Sequence, residues 1–80
     1  MENNIYNIYY DEEGDFLELI IGEPPNNEGT EEIESGIFVT KNLETNEIYS
    51  IGILSFKKKY HLLNSILKRL NIDFPLTIGY

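Results

Sequence analysis

The side chains that could do chemistry in this chain fall into four groups. The densest is the run Asp11-Glu12-Glu13-Gly14-Asp15. Clustered carboxylates suit a hard cation such as calcium, which takes about six to eight oxygen ligands from a longer, alternating loop. This run is too short for that, and neighbouring acids on a tight turn mostly face water. A solvated turn is the expected reading. The second group is Glu28, Glu31, Glu32 and Glu34. These four could imitate a phosphate backbone and occupy a basic groove on another protein. They could equally be a solvated linker, or a counter-surface for Lys57, Lys58 and Lys59 of the same chain.

His61 is the only histidine. General-base chemistry would need it beside a nucleophile and an orienting acid. The serines at 35, 50, 55 and 65 show no nucleophile-elbow context, and there is no glycine-rich phosphate loop. A histidine on a helix surface is the expected reading, and no enzyme is expected. The fourth group is basic: Lys57, Lys58, Lys59, Lys68 and Arg69. Single-strand nucleic-acid binders interleave aromatic platforms with glycine beside such cations, and that pattern is not found here. With no cysteine in the chain, disulfides, thiolate metal sites and thiol nucleophiles are excluded. No cofactor is expected.

These groups are unevenly placed. The first forty residues hold eleven carboxylates and no lysine or arginine, and five of the six basic residues lie between Lys57 and Arg69. The halves therefore carry −11 and +3, for a net charge of −8. That balance opposes approach to phosphates, so direct nucleic-acid or anionic-membrane binding is not expected. It is the layout of an acidic body with a basic tail, suited to meeting a protein partner or to closing on itself. Hydrophobic content of 41% is ordinary for a globular chain. The N-terminus lacks the basic and apolar regions of a signal peptide, and no apolar run is long enough to span a membrane. A cytoplasmic location follows as the expectation.

Eighty residues make one domain, and so small a chain buries only about 60–65% of its unfolded surface. Association would relieve the shortage, so a homo-oligomer is expected. Ile5–Tyr10 and Phe16–Ile21 read as strands joined by the Asp11–Asp15 turn, with Gly14 supplying a positive φ. Residues 22–29 hold two prolines, two glycines and two asparagines and read as a loop. Thr30–Glu34 reads as a polar, extended run. Ile37–Lys41 and Ile48–Phe56 read as a second hairpin, with Asn46 suited to the left-handed region of its turn. Tyr49, Ile51 and Ile53 share one face and Ser50 and Gly52 the other.

Leu63, Ile66, Leu67 and Leu70 then recur at helical spacing and predict an amphipathic helix over about 58–70. Its three N-terminal lysines oppose the helix dipole. Residues 74–78 alternate and could add a short edge strand, limited by Pro75. The expected fold is α+β. It consists of a four-stranded antiparallel meander over residues 5–56, one C-terminal amphipathic helix and a tail from 71 to 80. Tyr6, Tyr9, Tyr10 and Tyr49 exceed what one face of such a sheet can hold. Tyrosine buries area at little rotamer cost, so Tyr9 and Tyr49 are candidate partner contacts.

The strings Tyr10-Asp11-Glu12-Glu13-Gly14-Asp15-Phe16-Leu17-Glu18-Leu19, Glu34-Ser35-Gly36-Ile37-Phe38-Val39 and Glu47-Ile48-Tyr49-Ser50-Ile51-Gly52-Ile53-Leu54 resemble the domain-of-unknown-function family 2283. The resemblance covers residues 6–56 and rests on turns and strands. Gly52 stands where that pattern carries an acidic residue, and Asn46 where it carries glycine. The resemblance implies a small bacterial-type antiparallel protein without an established activity, antitoxin-like by analogy. The expected function is therefore a non-enzymatic protein-binding module that neutralises a small basic partner. The alternative is a self-associating structural or assembly protein. The candidate partner-binding residues are Glu28, Glu31, Glu32, Glu34, Tyr9, Tyr49, Lys57, Lys58 and Lys59.

Overall fold

Two rows of aliphatic side chains organise the molecule. A computed structural model of the chain describes residues 6–72. Five strands run in the order β1 (Tyr6–Asp11), β2 (Phe16–Ile21), β3 (Glu28–Glu34), β4 (Ile37–Asn42) and β5 (Ile48–Leu54). In space the sheet reads β1-β2-β5-β4-β3, antiparallel at every pairing. Leu17, Ile53 and Ile37 lie directly across from one another on β2, β5 and β4, and Leu19, Ile51 and Val39 make the next row. All six are buried. Period-2 alternation in each strand puts them on one face, and water is excluded there by the C-terminal helical segment.

That segment supplies Phe56, Leu63, Ile66 and Leu67 to the same core. Burying a side chain of this size is worth about 1.5–3 kcal/mol. The helical segment is not the single continuous helix over about 58–70 that the spacing predicts. It consists of α1 (Phe56–Lys59), a 3₁₀ turn over Tyr60–Leu62, and α2 (Leu63–Arg69). The 3₁₀ turn winds more tightly than an α-helix. It lets Phe56 and the Leu63/Ile66/Leu67 stripe reach one core while Tyr60 and His61 stay exposed. Because α1 is a single turn ending at Lys59, its lysines lie as close to its C-terminus as to its N-terminus. The expected opposition to the helix dipole loses its force. Asn71, with φ of 60°, ends α2 as its amide and that of Ile72 bond back to Lys68 and Leu67.

The sheet departs from the expected four-stranded meander in two ways. First, it has a fifth strand, in which Glu28 and Gly29, expected in the loop, join the extended run through Glu34 and pair with β4. Polar residues reading as linker are acceptable in a strand that sits at the rim, where half of each residue's surroundings is water. Second, β5 rather than β4 lies beside β2. The most deeply buried strand, Ile48–Leu54, thereby takes the centre. Gly14 does not carry the positive φ of the first turn; Asp15 does, at 52°. Asn46 takes the left-handed conformation expected of it. β5 ends at Leu54, and Ser55, at φ 54°, turns the chain into α1. The expected edge strand at 74–78 lies outside the described residues.

The other sheet face has no helix over it among the described residues. Ser50 and Gly52, expected on its wetter side, are both buried. The Phe16 ring covers Gly52: a Cβ added there would stand 2.8 Å from Phe16 Cζ. The ring thus fills the space that a side chain at position 52 would enter.

Candidate protein-binding surfaces

β3 is an outer strand, and it is acidic on both faces. Glu28 and Glu32 lie opposite Asn42 and Phe38, on the face without a helix. Glu31 lies opposite Val39, on the helix-covered face, and Glu34, beyond a register shift, is opposite Ile37. All four are exposed. Their engagements differ. Glu32 Oε2 accepts the Gly36 amide at 2.9 Å, holding the β3–β4 turn, where Gly36 has a φ of 78°. Glu34 forms an ion pair with Arg69 from α2. Glu28 and Glu31 make no hydrogen bond or ion pair among the described residues. Among the described residues the β3 strand meets the basic tail through the Glu34–Arg69 ion pair, and half of the strand's carboxylates face water.

The three lysines point elsewhere. Lys59 Nζ donates to the Ser35 carbonyl at 2.7 Å, pinning the same turn from the helix side. The Lys57 amide donates to both oxygens of Asp15, at 3.2 Å each. Lys57 and Lys58 are exposed. Asp15 is the unforeseen organiser of this end of the molecule. Its carboxylate also accepts the Tyr10 hydroxyl at 2.6 Å, and its carbonyl accepts the Phe56 amide. The Tyr10 hydroxyl bond chiefly holds the Asp15 carboxyl below its usual range. Partial desolvation opposes this, while the Lys57 amide and the charges of Lys57 and Lys58 assist it. One residue so ties the β1–β2 turn to the start of α1.

Tyr9 and Tyr49 do not share a surface with the glutamates or with each other. Tyr9 is 58% exposed on β1, at the opposite rim from β3. Four strand spacings of about 4.8 Å separate the two rims, roughly 19 Å. Tyr49 is half-buried and stands at a register shift, where Thr40 faces Ser50 and Lys41 faces Ile48. The nine expected contacts are thus spread over four places: the β3 rim, the start of α1, β1 with Tyr9, and the central strand β5 with Tyr49. Sequence periodicity marks which residues share a strand face, but which strand becomes an edge is decided by long-range pairing.

A shallow groove of about 60 Å³ lies between Glu34, Leu62, Ser65, Ile66 and Arg69, with room for a few waters. His61 is exposed and meets the Tyr60 ring edge-on at 6.2 Å. Among the described residues no group of three or more His, Cys, Asp or Glu side chains could hold a metal ion, and no helix is long and apolar enough to cross a membrane. No family model, curated protein or solved structure matches the chain.

Proposed function

We propose that this chain is a non-enzymatic protein-binding module, acting in the cytoplasm, that neutralises a small basic partner protein by occlusion, in the manner of an antitoxin. The observation that carries this reading is the β3 rim, an exposed strand whose Glu28 and Glu31 carboxylates have no partner among the described residues. An outer strand offers unpaired backbone donors and acceptors along one side, the feature that strand addition uses for affinity. Carboxylates on both faces of that strand select a partner bearing lysine and arginine. They raise its encounter rate by steering, and salt screens the effect. Glu34 contributes less, because Arg69 already compensates it. The antitoxin-like resemblance agrees with this chemistry.

The test is a triple substitution of Glu28, Glu31 and Glu32 to glutamine, which keeps shape and hydrogen-bonding capacity. A basic protein retained from native lysate by the wild type should be retained weakly by the variant. Its association rate on a biosensor should fall by about tenfold at low salt, with a smaller change in dissociation. Equal association rates for the two forms, at low and high salt, would sink the proposal.

A further inference from the structure

The two rims of the sheet are built on different rules. β3 carries Glu28, Glu31, Glu32 and Glu34 and a register shift between Glu32 and Glu34. Inserted residues and exposed charges are the devices that keep an edge strand from pairing with another chain. β1 has neither. Its pairing with β2 is unbroken from Tyr6↔Ile21 to Asp11↔Phe16. From Tyr6 through Tyr10 it contains no charged residue, no proline and no glycine. Its outer side has no partner strand among the described residues. Ile8, on the helix-covered face, is 52% exposed although it stands beside the fully buried Leu19.

We infer that β1 pairs antiparallel with β1 of a second copy of this chain, joining two five-stranded sheets into one of ten strands. A two-fold axis perpendicular to the sheet must set residues of like face opposite each other. Centring the axis on Ile8 does so: Ile8 meets Ile8 of the second copy, Asn7 meets Tyr9, and Tyr6 meets Tyr10. Both exposed Ile8 side chains then cover each other on the helix-covered side. Asp11 falls outside the paired stretch.

Charge selects the occupant and the rim. Each copy carries −8, so copies repel wherever their carboxylates approach. A β3–β3 junction would bring eight glutamates, four from each copy, to one seam. The β1–β1 junction instead sends the two β3 strands to the outer rims, nine strand spacings or about 43 Å apart. That distance is several times the Debye length of about 8–10 Å. Of the two rims of the described sheet, the uncharged Tyr6–Tyr10 stretch is the one at which a chain this acidic meets itself cheaply. Five paired residues per copy are far fewer than the roughly 20–30 per side of a standard interface, so the dimer belongs to the weak, concentration-dependent class.

The experiment is analytical ultracentrifugation of the full chain from about 1 to 500 μM, at 0.15 and 0.5 M salt. Wild type is compared with Ile8→Lys and Tyr9→Lys, which introduce charge on the two faces of β1 at exposed positions. The expected result is a monomer–dimer equilibrium that both substitutions weaken by at least tenfold. Thermal melting checks that each variant is folded, and having substitutions on both faces keeps the test decisive if one is not. Concentration-dependent protection of β1 amides from hydrogen exchange should accompany the dimer. A monomer throughout overturns the inference, as does a dimer that both folded lysine variants leave unchanged. β1 amides protected equally at every concentration in a monomer would place another segment of the same chain on this edge, and also overturn it. The Glu28/Glu31/Glu32→Gln variant should dimerise no less than wild type, which separates this result from the fate of the acidic rim.

Discussion

Replacing Gly52 with alanine should destabilise the protein, although glycine in the middle of a strand is usually a liability. In a compatible site the exchange gains roughly 0.5–1 kcal/mol through reduced backbone freedom. Here the new Cβ would lie 2.8 Å from Phe16 Cζ and 3.1 Å from Cε1. Carbon atoms pack at about 3.5–4.0 Å, so the ring must retreat by at least about 0.7 Å. Its backbone cannot follow freely, because Phe16 is held between Asp11 and Leu54 in the ladder. Overpacking of this kind costs about 1–3 kcal/mol. The overpacking outweighs the backbone gain, leaving a net loss of about 1–2 kcal/mol, or roughly 4–16 °C in Tm for a chain of this size. Urea unfolding followed by circular dichroism, fitted with a common slope, reads the difference. The decisive comparison is the same substitution in a Phe16→Ala background. With the ring gone, Gly52→Ala should become neutral or stabilising, a sign reversal that corresponds to a coupling of about 1–3 kcal/mol. If Gly52→Ala stabilises the wild type as much as it stabilises Phe16→Ala, the ring does not fill the space above Gly52 and the reasoning fails.

The remaining expectations concern the clasp at Asp15 and the core. The Asp15 carboxyl is held below its ordinary value, about 3.9, so the folded state favours its charged form. Its contribution is fully present above that ordinary value and is lost as pH falls through the lower folded value. Melting temperature should therefore decline below about pH 4 with a component that disappears in Asp15→Asn and shrinks in Tyr10→Phe, which removes the largest cause of the lowered folded value. A pH profile of Asp15→Asn that parallels wild type would remove Asp15 from the account. Leu19 is fully buried between Ile8 and Ile51, so Leu19→Ala should cost about 2–5 kcal/mol in urea unfolding. A cost under about 1 kcal/mol would mean that the helical segment is not seated on the sheet.

What was legible in the sequence follows the range of the interaction that decides it. β2, β4 and the strong part of β5 are set by alternating aliphatic residues, and their faces follow from a period of two. Asn46 is set by local sterics. The identity of the third strand is not local: Glu28–Glu34 has the composition of a linker and becomes a strand because β4 offers it a ladder. The placing of β5 between β2 and β4 is a choice among pairings that period-two patterns leave equal. The break in the helix at Tyr60–Leu62 is hidden for a related reason. Residues 63–70 have helical spacing, and only docking on the sheet shows that Phe56 must be reached as well. At the candidate surfaces, the four glutamates stood out by type alone. The division between Glu34, tied to Arg69, and the unpaired Glu28 and Glu31 required the tertiary fold. Asp15 looked like a turn residue, and nothing nearby in sequence marks its bonds to Tyr10 and Lys57 as one clasp.

The same excess of carboxylate explains why the two rims could do different work. A strand edge attracts any chain with free donors and acceptors, so a small antiparallel sheet must protect both of its edges or use them. Charge on β3 excludes other acidic chains, including copies of itself, and admits basic ones. The uncharged stretch of β1 excludes nothing by charge locally, yet the −8 of the whole chain discourages acidic neighbours unless their own carboxylates are carried away from the seam. Only an arrangement with β3 on the far side satisfies that condition, and two copies joined at β1 meet it. On the proposed reading, partner choice at both rims follows from where eleven acids stand in the first forty residues.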